Sequence, residues 1–325
     1  MSELYPLRFH PVYKLQLWGG RRFETILKRD LQPDRRYAES WEVCDHPAGQ
    51  SIVAEGPLAG VSLHDLVLNR GEELLGRHHP QTRFPLLLKY LDAEHSLSIQ
   101  VHPDDALAAQ LKLSDGGKAE AWFVIHAEPT SAIWCGLREW VDRDRLLQAI
   151  AEGSLQECLC RFKPAVGECF MIPPGTVHSM GGGVLVAEIQ QPSDNTFRLF
   201  DWNRVGPDGK PRQLHVDEAL RAIQYNQAIL GPSKPRPTER PFVKRAAACD
   251  KFVLDCLEVE TAQTVGGDAR CHVLTVVAGS VRIERDAVQR PLYIGQTILI
   301  PAALGVTEVQ PATAGPAILL DAYLP

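Results

Sequence analysis

The 325-residue sequence predicts a mainly β protein: an all-β framework with a helical insert, followed by a smaller all-β unit. Three observations carry that reading. Short β-type runs recur along the whole chain with Gly and Pro between them, the pattern of sandwiches and barrels. Helical patterns are few and lie between strands of the first two-thirds. A polar, Pro-rich stretch, Gly231-Pro-Ser-Lys-Pro-Arg-Pro-Thr-Glu-Arg240, then separates two groups of runs and divides the chain into 1–235 and 236–325.

In chain order, the first group comprises Phe84–Tyr90, Leu97–Val101, Ala121–Ala127, Glu168–Ile172, Val184–Ile189 and Thr196–Asp201. The second comprises Phe252–Val259, Val273–Val277, Val281–Glu284, Thr297–Ile300 and Ala317–Ala322. Four helical segments are expected. His64–Asn69 is short. Pro103-Asp-Asp opens the next, with a proline and two acids in its first turn, where free N–H groups and the dipole favour them. Asp142–Glu152 sets Leu146, Leu147 and Ile150 on one face and stops at Gly153. Val216–Ile223 is the fourth, and no repeat of short fixed period is visible.

Composition narrows the function. Apolar residues make up 45% and charged residues 23%, which excludes a disordered or collagen-like chain. Lys and Arg number 34 against 40 Asp and Glu, a formal net charge of −6. So acidic a chain has no electrostatic footprint for nucleic acid or anionic lipid, and neither is an expected partner. No run approaches the ~18–20 uninterrupted apolar residues of a membrane span. The opening Met1-Ser-Glu-Leu-Tyr-Pro6 lacks the basic region and apolar core of a secretory leader. Eight cysteines are scattered without a Cys-x-x-Cys, as expected of buried thiols in a reducing cytoplasm. Cys158 and Cys160 find no second pair to complete a soft-metal site. Monomer and homodimer both stay open.

The chemistry concentrates in one block. In Leu97-Ser-Ile-Gln-Val-His-Pro-Asp104, Gln100 and His102 are two apart on a strand and so project together. Gly117-Lys-Ala-Glu120 places Glu120 at the start of another strand. Gly167-Glu-Cys-Phe-Met-Ile-Pro-Pro-Gly-Thr-Val-His178 reads as a strand, a Pro-Gly turn and a His re-entering a strand. Converging, Gln100, His102, Glu120 and His178 would offer two oxygens and two nitrogens. Such a set suits zinc, with manganese, iron or nickel not excluded by ligand type.

Gly-x5-Pro-x-Gly-x2-His, complete from Gly167 to His178, is the second motif of the cupin barrel. The first motif is altered: Gln100 replaces its first His, and seventeen residues separate His102 from Glu120. With Trp18-Gly-Gly, Glu39-Ser-Trp-Glu, Phe84-Pro-Leu-Leu-Leu-Lys89 and Glu188-Ile-Gln-Gln191 through Arg198 to Asp201, the sequence resembles the type I mannose-6-phosphate isomerases, particularly the shorter bacterial form. Gly182, where the cupin pattern closes with Asn, departs from it. The resemblance implies a cupin jelly-roll barrel with a helical insert and a second, degenerate cupin-like domain. It implies one divalent metal, zinc foremost, on Gln100, His102, Glu120 and His178. It also implies active-site roles for Arg198 and Lys118, and positions near the sugar phosphate for Lys89 and Ser98.

The residues support that chemistry on their own terms. Aldose–ketose isomerisation moves a proton between adjacent carbons through an enediolate. It needs a base, a stabiliser of the oxyanion and a grip on the substrate. A dication held by one carboxylate and neutral ligands keeps net positive charge. Arg198 offers a planar fork for phosphate or enediolate. Glu188 shares a strand face with Gln190 and is a candidate base. Glu188, Lys118 and a metal-bound hydroxide all stay open for the proton transfer.

Bland readings apply elsewhere. Trp18 and Trp41 read as packing or pocket wall, His78-His79 as a solvated loop pair, and Asp104-Asp105 as a helix start. His126, six residues from Glu120, is expected on the same strand face but farther along. In the second unit Gly295-Gln-Thr-Ile-Leu-Ile-Pro301 keeps the motif's glycine and proline without a following His, so that unit is expected to be structural. A non-catalytic sugar-phosphate-binding regulator is the alternative from another class. An iron-dependent cupin oxygenase is a third, disfavoured by Gln100.

Overall fold

A computed structural model describes residues 3–206, 209–226 and 231–325. Four main sheets stack; two helices cover one outer face, and the helix Leu63–Leu75 packs into the core shared by the two units. The first six-stranded sheet runs Val12–Lys14, Glu39–Val43, Leu87–Ala93, Val184–Gln190, Glu120–Ala127 and Cys169–Ile172 in spatial order. It faces a five-stranded sheet ordered Phe197–Phe200, Ile99–Val101, His178–Met180, Ile133–Leu137 and Leu159–Phe162. Alternation sends Leu91, Trp122, Val124 and Phe170 of one sheet against Ile133, Cys135 and Met180 of the other. Their cupin-like arrangement forms the walls of the site.

Helices Arg143–Glu152 and Val216–Ala222 cover the outside of the five-stranded sheet. Leu146, Ala149, Ala219 and Ala222 pack there on Ile99, Val101, Leu159 and Leu199. The caps follow the expected chemistry. Asp142 accepts the Arg145 N–H at 2.8 Å, and Gly153 ends that helix in the left-handed region at φ 70°. Asp104 caps Asp105–Gln110 through the Leu107 N–H at 2.7 Å, so Pro103 precedes the cap instead of occupying the first turn. The first helical segment extends over Leu63–Leu75, well beyond Asn69, because Leu74 and Leu75 add to the apolar face begun by Leu66 and Val67.

The other face of the first sheet packs on a second six-stranded sheet: Arg236–Pro237, Val243–Ala248, Val253–Val259, Ala317–Tyr323, His272–Ala278 and Thr297–Ile300. One apolar cluster spans both, from Phe84, Leu88 and Phe123 to Phe252, Leu254, Val273 and Leu320. A four-stranded sheet closes the far side over Leu257, Val276 and Leu319. The amino-terminal end of the chain crosses to this second unit: Leu7 and Leu299 exchange backbone hydrogen bonds at 2.8 and 2.9 Å.

Strand ends moved where side chains found partners. The run expected at Phe84–Tyr90 is the strand Leu87–Ala93. Pro85 has no N–H for a ladder and the Phe84 N–H is taken by Asp45 at 2.8 Å. Asp92, which looks like a turn residue, is buried in the strand against Arg22. His126 also departs from expectation. A bulge sets Val186 opposite Val124 but Leu185 opposite His126. Leu185 points into the inter-sheet core, not the site, so period-two counting fails beyond Val124.

Candidate active site

The chain brings Gln100, His102, Glu120 and His178 to one place. His178 is opposite Gln100 in one ladder and Gln100 opposite Arg198 in the next. Glu120 enters from the facing sheet, opposite Gln190 and Ile172. Ligand atoms of His102, Glu120 and His178 lie within 4.8 Å of one another, and all three side chains are buried. The Pro173-Pro-Gly-Thr turn swings the chain from one sheet to the other. Gly175, at φ 83°, packs against Gln224 and the Ala222 carbonyl, where a Cβ would come within 2.7 Å.

Hydrogen bonds orient both imidazoles. Nδ1 of His102 is 2.8 Å from the Asn195 carbonyl, and Nδ1 of His178 is 2.9 Å from the Thr176 carbonyl. A carbonyl only accepts, so each ring carries its proton on Nδ1 and turns a lone pair on Nε2 inward. Those lone pairs meet Glu120: Nε2 of His178 is 3.2 Å from Oε1, and Nε2 of His102 is 3.4 Å from Oε2. Oε1 has no hydrogen-bond donor and is buried. Lys118 Nζ stands 3.3 Å from His102 Nε2 and 2.7 Å from Glu120 Oε2, but no other group donates between His178 Nε2 and Oε1, and buried acceptors so placed fit a cation. Burial carries the His102 pKa down to about 3, with Lys118 adding to the fall, so the ring is neutral as a ligand must be. Burial opposes ionisation of Glu120, yet Lys118 holds its carboxyl well below the usual range. Gln100 places its amide 3.3 Å from His178 Nε2, with Ser98 Oγ 3.0 Å away on the other amide atom. Turning that amide over would give Oε1 to the cation and Nε2 to the Ser98 hydroxyl.

Around this cluster a cavity of about 590 Å³ is lined by every sequence-predicted site residue except the two histidines at its floor. Lys118 Nζ donates to Glu120 Oε2 at 2.7 Å. Lys89 lies between two carboxylates, 3.2 Å from Glu39 and 3.3 Å from Glu188. Burial opposes ionisation of Glu39 too, but Lys89 keeps its carboxyl low. For Glu188 burial wins: its carboxyl rises to about 8, with Glu120 adding to the rise and Lys89 opposing it. Glu188 Oε2 accepts no hydrogen bond.

At the other side of the cavity stand Arg198 and Arg212. Burial lowers the Arg198 pKa below the usual guanidinium value, with Arg212 adding to the fall. Arg198 Nη1 donates to the Gln213 carbonyl at 2.9 Å, leaving Nε without a partner. Arg212 is held side-on by buried Asp201, its Nε 2.8 Å from Oδ2, and Arg204 shares that carboxylate. Glu39, Asn195, Asp201, Arg212 and His215 escaped the sequence reading as site residues. Glu39 and Asp201 stand inside recognised runs, so their position was legible. Arg212 and His215 arrive through a loop with no motif, and only folding puts them at the cavity.

Comparisons with known proteins show the family. The family model of the phosphomannose isomerase type I catalytic domain matches residues 7–121. A mannose-6-phosphate isomerase of Streptococcus mutans is 36% identical over 296 residues, covering 91% of this chain and 92% of its own. Mannose-6-phosphate isomerase ManA of Bacillus subtilis is 32% identical over 315 residues, at 94% and 96% coverage. The crystal structure of the mannose 6-phosphate isomerase from Bacillus subtilis superposes with a TM-score of 0.88 at 28% identity, over 99% of this chain and all of that one. With such identity along nearly its whole length, and with a His–Glu–His cluster at the foot of its cavity, the chain belongs to the type I mannose-6-phosphate isomerase family.

Proposed function

We propose that this member of the family interconverts mannose 6-phosphate and fructose 6-phosphate through an enediolate, using one divalent cation, zinc, held by Gln100, His102, Glu120 and His178. The observation that carries the metal reading is the set of inward lone pairs of His102, Glu120 and His178. The crystal structure of a mannose 6-phosphate isomerase bound with zinc and yttrium shares the fold, at TM-score 0.79 and 17% identity, and supports zinc as the first ion to try. When bound, the cation supplies Lewis-acid polarisation of a sugar oxygen.

The chain's own groups divide the remaining work. Lys118 is engaged by Glu120, whereas Glu188, met by Lys89 only at 3.3 Å and with its carboxyl raised to about 8, is the group that takes the C2 proton of the aldose and returns it to C1. Lys89 steadies Glu188 and Glu39 by charge, and so acts on the substrate mainly through them. Ser98 orients the Gln100 amide. Arg198 offers its fork to the negative charge that develops on the enediolate. Arg212, fixed by Asp201, reaches the same cavity and suits the phosphate dianion. Residues 1–235 form the catalytic unit on this reading, and 236–325 carry no ligands of the metal. Eight free thiols support a cytoplasmic setting. A coupled assay for fructose 6-phosphate tests the proposal: activity is lost on thorough chelation and returns with zinc. Full activity after metal removal would overturn it.

A further inference from the structure

The two units agree in more than outline. In each six-stranded sheet the strands lie, by rank along their part of the chain, first, second, third, sixth, fourth, fifth. The smaller sheets agree as first, fourth, second, third, with Phe197–Phe200 added at the edge of the first unit alone. Even the irregularities match. One bulge sets Val186 against Val124 and Leu185 against His126; its counterpart sets Leu319 against Val276 and Ile318 against Ala278. Another interrupts the ladder after Trp41, and its counterpart after Arg245.

Register counted from these bulges aligns the units residue by residue. Glu120, opposite Ile172, corresponds to His272, opposite Ile300. Glu188, opposite Lys89, corresponds to Asp321, opposite Asp255. Trp41 corresponds to Arg245, since each faces the preceding lysine or aspartate position. The second unit therefore holds a buried polar cluster where the first holds its catalytic floor: the sign of charge is exchanged from Glu120 to His272 and from Lys89 to Asp255, and kept from Glu188 to Asp321. His272 Nδ1 is 2.9 Å from Asp321 and its Nε2 is 3.1 Å from Asp268. Arg245 pairs with Asp255, which also accepts the Tyr323 hydroxyl at 2.7 Å.

We infer that the His272 imidazolium is a cation built into the chain, at the position of the second unit that corresponds to Glu120 of the first. It balances Asp321 and Asp268 in the place where, on the reading above, Glu120 faces a metal. Both ring nitrogens face carboxylates, so both carry protons. A neutral ring would leave Asp321 buried without a counter-charge, a costly state. The charged groups around His272 are Asp321 and its strand neighbour Tyr323, Asp268 and Arg270 from the preceding loop, and the Arg245–Asp255 pair across the sheet. With every polar atom of His272 and Asp255 engaged internally, this unit needs neither metal nor substrate to hold together.

The test follows the His272 ring in the intact enzyme by side-chain nitrogen NMR. It stays doubly protonated through pH 8 and loses its proton near pH 10; titration near the ordinary 6.5 would overturn the inference. In thermal melts at pH 7.5, H272Q lowers Tm by several degrees, and adding D321N recovers at least half of the loss because the unbalanced charge is gone. Additive losses from the two substitutions would overturn it. If H272Q fails to fold, the wild-type titration decides alone. An enzyme inactive on mannose 6-phosphate would sink the active-site reading, while the His272 titration still decides this one.

Discussion

Lys89 and Lys118 carry the same charge into one cavity, but each is answered by buried carboxylates, Glu188 being shared between them, so neither is a free hand for phosphate. On the proposed reading that leaves Arg212 for the phosphate and Arg198, unpartnered at Nε, for the enediolate. Replacing Arg198 with Ala should keep the metal content and lower kcat by roughly 10²–10³-fold, the scale of losing one stabilising donor. His178→Ala should lose metal and turnover together, checked by metal analysis beside the assay. Arg212→Ala should raise KM for the sugar phosphate about tenfold or more with a smaller change in kcat; an unchanged KM removes Arg212 from the phosphate grip. The thiols are answered by burial. It pushes Cys135, Cys169 and Cys256 up to about 12 and Cys44 up to about 11. Iodoacetamide at pH 8 should spare these four in the native enzyme and modify the half-buried Cys249 first, as read by mass spectrometry.

At the scale of elements, the turn before His178 and the helix cap at Asp142 make a controlled contrast. Gly175→Ala meets a left-handed φ and a Cβ contact at 2.7 Å. It should cost about 1–3 kcal/mol and weaken metal retention, because the turn aims His178. Asp142→Ala removes one N-cap bond on the outer helical layer, costing about 1 kcal/mol, with kcat and KM unchanged. Denaturant melts and metal analysis on both variants separate the two cases.

Across the whole molecule, the inter-sheet core joins the units as one packed body. A single cooperative unfolding transition is therefore expected, and Phe252→Ala, fully buried between the sheets, should cost about 3–5 kcal/mol and lower the one transition as a unit. His272 adds a pH dependence of definite sign. Burial opposes its charge, but Asp321 and Asp268 raise its pKa from 6.5 to about 10. Its contribution is complete below pH 6.5 and is lost as pH rises through about 10. Melting temperature should fall between pH 7 and 10, less steeply in H272Q.

The sequence by itself determined the strand-rich architecture, the helix start at Asp142, and the His–Glu–His residues that gather at the cavity. These rest on local rules: a period of two, capping side chains, and a Pro-Gly turn holding His178 at a set distance from Gly167. Strand ends at Leu87 and Ala93, the face taken by His126, and the arrival of Arg212 and His215 at the cavity were decided only in three dimensions. Buried ion pairs, a bulge and a loop return depend on partners far along the chain. The polar cluster around His272 belongs with them: no ligand motif marks it, and it becomes visible only when two ladders are laid in register.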